Sequence, residues 1–228
     1  MSERVQDRLA RVQDRMRAAA FRVGREPSSV KLVAVSKTMP VEAILEALDA
    51  GVTILGENRV QEAAGKIAQL PGRAAWHLVG HLQTNKAKLA VQLFETIHSL
   101  DSLRLAQELD KQCRQSGRIV QCLIEVNLGA EGSKSGLPEE GIRPLLEAGM
   151  DFPNLRVEGL MAIPPFLEDP EAVRPFFRRL RILRDKLETE GWRLPELSMG
   201  MTHDYEVAIE EGATMVRIGT AIFGPRPA

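Results

Sequence analysis

The sequence is short of several things that mark whole classes of protein. Its two cysteines, Cys113 and Cys122, fit neither a disulfide framework nor a metal-binding cluster. Cys113 shares an apolar helical face with Leu105 and Leu109, and Cys122 lies inside a strand-like run. Both are expected as small buried hydrophobes in a reducing cytoplasm. There is no excess of charge: 30 basic against 31 acidic residues leave a net −1, which argues against a nucleic-acid or membrane surface. No apolar run is long enough to span a bilayer, and the charged start Met1–Arg8 is no signal peptide, so a cytoplasmic location is expected. No Gly-x-Gly-x-x-Gly follows the first strand-like run, which counts against an open nucleotide-binding sheet. Tyrosine occurs once, at Tyr205.

What is present is a regular alternation. With 228 residues, 44% hydrophobic and 27% charged, the chain suits one large domain spanning residues 1–228. Val5, Leu9, Val12, Met16 and Val23 recur at helical spacing, so residues 1–26 form an opening helix packed on the rest. Strand patterns then fall at 30–36, 53–55, 75–79, 96–99, 119–127, 155–162, 196–199 and 214–218. Helical patterns fill the gaps at about 41–50, 58–69, 84–94, 102–116, 138–149, 170–190 and 204–211. Pro40, Pro138 and Pro170 stand near helix starts, and Asp101 or Ser102 can cap the fourth helix. Glycines 51, 117, 149, 191 and 212 follow helix ends. Eight strands with crossover helices and no flexible linker predict a single (β/α)₈ TIM barrel, an α/β fold with an extra N-terminal helix.

Barrel chemistry gathers where strands run into the loops that follow them. Lys37 ends the first strand there, and burial makes such an amine a candidate for Schiff-base chemistry with a carbonyl compound. Its bland alternative is a lysine whose stem covers the rim. The segments Ser198–Thr202 and Arg217–Thr220 close strands seven and eight, where barrels often hold phosphate. Gly200 and Gly219 would let backbone N–H groups approach an anion, and Thr202 and Thr220 would add hydroxyls. A lysine facing a phosphate cradle suggests pyridoxal 5′-phosphate (PLP), with Arg217 meeting the pyridine nitrogen. A guanidinium only donates, so that nitrogen would stay unprotonated and the ring would be a weak electron sink. The alternative for Arg217 is a structural pair with a carboxylate such as Glu211. His77 and His81 lie four apart, but on a strand and loop this is not a metal pair, and no metal site is expected. Lys86, Lys88 and Lys134 read as a basic rim or as solvated surface charge.

Seven stretches carry a family resemblance: Val33–Thr38, Gly56–Glu62, Trp76–Lys86, Ser133–Gly136, Gly159–Pro165, Leu197–Thr202 and Val216–Gly224. In this order they resemble the pyridoxal phosphate homeostasis protein family, over nearly the whole chain beyond its first helix. The resemblance implies an alanine racemase N-terminal-domain-like barrel with PLP on Lys37. Asn58 would line the ring. Ser198, Thr202, Gly219 and Thr220 would hold the phosphate, Arg217 the pyridine nitrogen, and Met201 would also contact the cofactor. The family usually has serine where this chain has Thr202. It also implies a role in intracellular PLP and amino-acid homeostasis rather than catalysis, with PLP-dependent apo-enzymes as transient partners of a monomer. A racemase of low activity is the alternative, and a Schiff-base aldolase on a sugar phosphate is a third reading. A racemase needs a second acid/base, and no β domain is expected after strand eight to supply one. Tyr205 is expected to pack against the barrel wall.

Overall fold

A computed structural model describes residues 3–129 and 135–225. Eight parallel strands close on themselves in sequence order: β1 (Lys31–Val35), β2 (Ile54–Glu57), β3 (Ala75–Leu78), β4 (Thr96–Leu100), β5 (Val120–Glu125), β6 (Leu155–Met161), β7 (Glu196–Met201) and β8 (Met215–Ile218). The seam is regular, with Leu32 beside Val216, Val33 beside Arg217 and Ala34 beside Ile218. The expected barrel is thus present, with no free sheet edge among the described residues.

Around it run α1 (Val5–Arg22), α2 (Val41–Asp49), α3 (Val60–Gln69), α4 (Ala87–Leu93), α5 (Leu103–Ser116), α6 (Glu139–Gly149), α7 (Arg174–Thr189), α8 (Tyr205–Glu210) and α9 (Thr220–Phe223). Of the two candidate caps for α5, Ser102 accepts from Leu105 N at 3.2 Å, a bond whose loss typically costs about 1 kcal/mol. Asp101 turns instead to His81, 3.1 Å away. Helices expected at 84–94 and 170–190 each open with a 3₁₀ turn, Thr84–Lys86 and Pro170–Val173. The opening helix stops at Arg22 rather than 26, so Val23, expected on its apolar face, is exposed. Gly149, expected beyond a helix end, is the last residue of α6.

Side-chain alternation divides the core in two. Val33, Val79, Leu123, Met161 and Met215 fill the bore, with Val35 and Ile54 against them. A larger apolar layer joins the strands to the helices. α8 and α9 are short, and α1 lies over them with Val5, Leu9, Val12 and Met16 buried. Arg8 donates to Ile222 O at 2.6 Å and Arg25 to Ile209 O at 2.7 Å, while Arg22 pairs with Glu210. The helix therefore braces the elements that follow β7 and β8.

Candidate functional site

Period-two alternation sends Val33, Val35 and then Lys37 toward the bore, so the lysine emerges at the carboxyl end of β1. There it lines a cavity of about 470 Å³ with Asn58, Met201, Thr202, Arg217, Gly219 and Thr220. Seven of the eight expected site residues are brought together. Ser198 is the exception: it is fully buried beneath Arg217 and does not line the cavity.

Arg217 forms part of the floor. It donates to Ser198 Oγ at 2.5 Å and to Ala162 O at 3.0 Å. Burial draws its pKa down to about 10, against the opposing fields of Asp204 and Glu125, so it remains a cation at neutral pH. Glu211, its conceivable partner from sequence, instead gathers Arg174, Arg178 and Arg181.

A guanidinium has no acceptor, so Arg217 is the donor in its bond to Ser198. Ser198 Oγ accepts from Arg217 and also lies 2.9 Å from His98 Nδ1, within hydrogen-bond distance. His98 Nε2 lies 2.9 Å from His77 Nδ1, so the two rings and the serine hydroxyl form one hydrogen-bonded chain beneath Arg217. Burial keeps both rings neutral, drawing His77 down to about 4 and His98 well below its ordinary range. His77 therefore belongs to this relay and His81 to Asp101, so the pair at spacing four shares no ligand.

Behind Lys37 the backbone is unusual. Thr38 has φ +63°, a left-handed conformation that costs a β-branched residue about 1–3 kcal/mol. Its N–H donates to Glu62 Oε1 at 2.5 Å. Lys66 Nζ, on α3, donates to Glu62 Oε1, Glu57 Oε1 and Ser36 O, each at 2.7 Å. Ser36 Oγ adds a bond to Glu57 Oε1 at 2.6 Å. Burial raises the Glu57 carboxyl despite Lys66 and Ser36, and its Oε2 has no hydrogen-bond partner.

On the opposite side, Asp204 Oδ1 accepts from Met201 N at 2.7 Å and holds the rim at Met201 and Thr202. Gly200 has another duty than the expected one. A Cβ there would fall 2.5 Å from Ala208 Cβ, so its φ of +90° and missing side chain admit α8. Tyr205 packs as expected: it is buried, with Arg15 of α1 5.5 Å from its ring centre.

Residues 8–227 match the family model of the alanine racemase N-terminal domain. A pyridoxal phosphate homeostasis protein of Aquifex aeolicus strain VF5 is 49% identical over 222 residues, covering 96% of this chain and 97% of that one. The chain belongs to the pyridoxal phosphate homeostasis protein family. The family member of Escherichia coli K12 is 43% identical, over 96% and 95% of the two chains. Among solved structures, PipY of Synechococcus elongatus PCC7942 with PLP bound superposes with a TM-score of 0.84 at 37% identity, over 97% and 100%. An alanine racemase of Clostridium difficile 630 shares the fold, with a TM-score of 0.76 at 16% identity, covering 97% of this chain and 58% of that one.

Several residues around the site escaped the sequence reading. Glu62 and Lys66 had a faint signal, since they are four apart on one helical face. His98 had none: its partners come from β3 and β7. Lys134, proposed for a basic rim, lies outside the described residues.

Proposed function

We propose that this protein binds pyridoxal 5′-phosphate at Lys37 and serves as a carrier in cytoplasmic vitamin B6 and amino-acid homeostasis. The observation that carries this reading is the pairing of Lys37 and Arg217 across one cavity, with Gly219 and Thr220 at its edge. These residues fit the cofactor's three demands: a primary amine, a donor for a ring nitrogen, and small or hydroxyl-bearing positions for an anion. When bound, the cofactor supplies an aldehyde that condenses with a primary amine, a C=N bond forming as the oxygen leaves in water. Lys37 supplies the amine. Arg217 donates into the cavity and, having no acceptor for an N–H, leaves the ring nitrogen unprotonated. Ser198 orients Arg217 from below. Thr202 and Thr220 offer hydroxyls to the phosphate, Asn58 lines the ring and Met201 shields the rim.

Holding rather than turnover suits the titratable groups available. Among the described residues, those lining the cavity are Lys37, His203 and Arg217. His203 is exposed at the rim, its Nε2 2.9 Å from Glu168 O and its ring against Phe166. A two-base reaction needs an acid/base on each face of the substrate, and Tyr205 lies outside the cavity. Cofactor transfer from a monomer to apo-enzymes completes the proposal.

Absorbance with PLP, borohydride trapping and peptide mapping test it. A visible band trapped on the Lys37 peptide and lost in Lys37→Ala is expected, with no racemisation in a chiral amino-acid assay. Trapping on another residue would overturn the site, and turnover at ordinary enzyme rates would overturn the carrier role.

A further inference from the structure

Lys37 sits between two peptide groups that are gripped by one ionic triad, in which Glu57 and Lys66 are buried and Glu62 is partly exposed. The carbonyl of Ser36 belongs to the peptide plane before Lys37, and it accepts from Lys66 Nζ at 2.7 Å. The N–H of Thr38 belongs to the plane after it, and it donates to Glu62 Oε1 at 2.5 Å. Those two planes rotate about the φ and ψ of Lys37. Holding both sets the direction of its Cα–Cβ bond. The clamp is internally tied, because Lys66 also bonds Glu62 and Glu57 at 2.7 Å each.

Two details separate this arrangement from an ordinary stabilising ion pair. The residue after Lys37 is a threonine at φ +63°, a conformation that persists only where its surroundings impose it. Glu62 bonds the N–H of that same residue. In addition, the three donors of Lys66 are all committed, to Ser36 O, Glu57 and Glu62. The neighbouring buried amine is thereby kept out of carbonyl chemistry.

We infer that Glu62 and Lys66 are positioning residues, which clamp the peptide planes on either side of Lys37 and aim its amine into the cavity. This rests on the proposed attachment of PLP to Lys37. It adds that the rate of covalent capture is set by a carboxylate and an ammonium that do not line the cavity.

The test separates capture from non-covalent binding. Pyridoxine 5′-phosphate has the ring and phosphate but no aldehyde, so it reports the cavity alone. Stopped-flow absorbance and borohydride trapping with PLP report Lys37. In Glu62→Ala, capture should slow about 10- to 100-fold, the scale expected when a reacting group is misplaced by about 1 Å. Pyridoxine 5′-phosphate affinity should stay near that of the native chain. Glu62→Gln keeps an oxygen for the Thr38 N–H and should recover most of the rate. Lys66→Met should slow capture as well, provided circular dichroism shows it folded; if it does not fold, the two Glu62 variants decide. Native-rate capture in Glu62→Ala would overturn the inference, and so would an equal loss of pyridoxine 5′-phosphate binding. Should the native protein itself fail to be trapped at Lys37, the proposed function fails instead, so the two failures are distinguishable.

Discussion

Lys66 and Arg217 are both buried cations within reach of the cavity, yet their surroundings are opposite in kind. Lys66 has two carboxylates at 2.7 Å, so its charge is neutralised where it sits. Arg217 bonds only neutral groups, a serine hydroxyl and a backbone carbonyl, and beneath them a relay of uncharged histidines. Asp204 and Glu125 reach it only as longer-range fields. A protein interior tolerates an ion without a direct counter-charge at a cost, and burial accordingly pulls Arg217 down to about 10. The contrast separates two kinds of cation: one holds the chain in place, and the other, lining the cavity, is the one proposed to meet a ligand.

The largest effect should come from breaking the neutralised pair. Lys66→Met leaves Glu57 buried without its counter-charge, and such a loss typically costs about 3–5 kcal/mol in urea unfolding. Burial already raises Glu57 above the ordinary carboxylate range. A raised folded value means the folded state binds more protons than the unfolded one, so stability falls as the pH climbs past the unfolded value of about 4.5. The deficit of Lys66→Met should therefore be deeper at pH 8 than at pH 5. A deficit that shrinks with rising pH would deny Glu57 this role.

Arg217→Met should do the reverse. Stability of the ligand-free protein should stay level or rise, since a costly ion is replaced by an apolar side chain. Affinity for PLP should drop by about 1.5–3 kcal/mol, the usual worth of a hydrogen bond to a charged group, with an altered visible spectrum. A large fall in stability with unchanged affinity would make Arg217 scaffold too.

The relay gives a comparable effect with a pH signature of its own. His98→Leu leaves the Ser198 hydroxyl and His77 Nδ1 without their partner, at about 1–3 kcal/mol of stability. Both histidines have folded values below the ordinary 6.5, His77 near about 4. The unfolded chain therefore takes up more protons as the pH drops. Their contribution is intact above about pH 6.5 and is lost as the pH falls, that of His77 on the way down to about 4. A His77→Asn/His98→Asn variant should lose less stability between pH 7 and pH 5 than the native protein does. The smallest changes belong to Thr202→Ala and Thr220→Val, each expected to weaken PLP by about 0.5–1.5 kcal/mol in equilibrium titration. If neither moves it, the anion is held elsewhere.

The barrel was legible because each strand and helix announces itself locally. Alternation such as Val33–Val35–Lys37 and start signals such as Ser102 are properties of a few adjacent residues. Boundaries slipped where tertiary packing decides them, as at Val23, where the opening helix ends one residue sooner than its apolar spacing. Lys37, Arg217, Gly219 and Thr220 were legible because a barrel puts its chemistry at known strand ends. Their supports were not. His98 meets Ser198 across 100 residues of chain and Lys66 meets Ser36 across 30, and no spacing rule encodes such meetings. Gly200 was read by its residue type, and only the packing of α8 assigns its purpose.

The zipped seam between the first and last strands has a consequence for how the protein comes into being. Lys37 and Arg217 lie 180 positions apart in the sequence, yet on adjoining staves of the ring, with Val33 facing Arg217 across the join. A nascent polypeptide has no binding place to offer until its final stave docks. Any vitamer held there would act as a clasp across that join, favouring the closed ring by mass action.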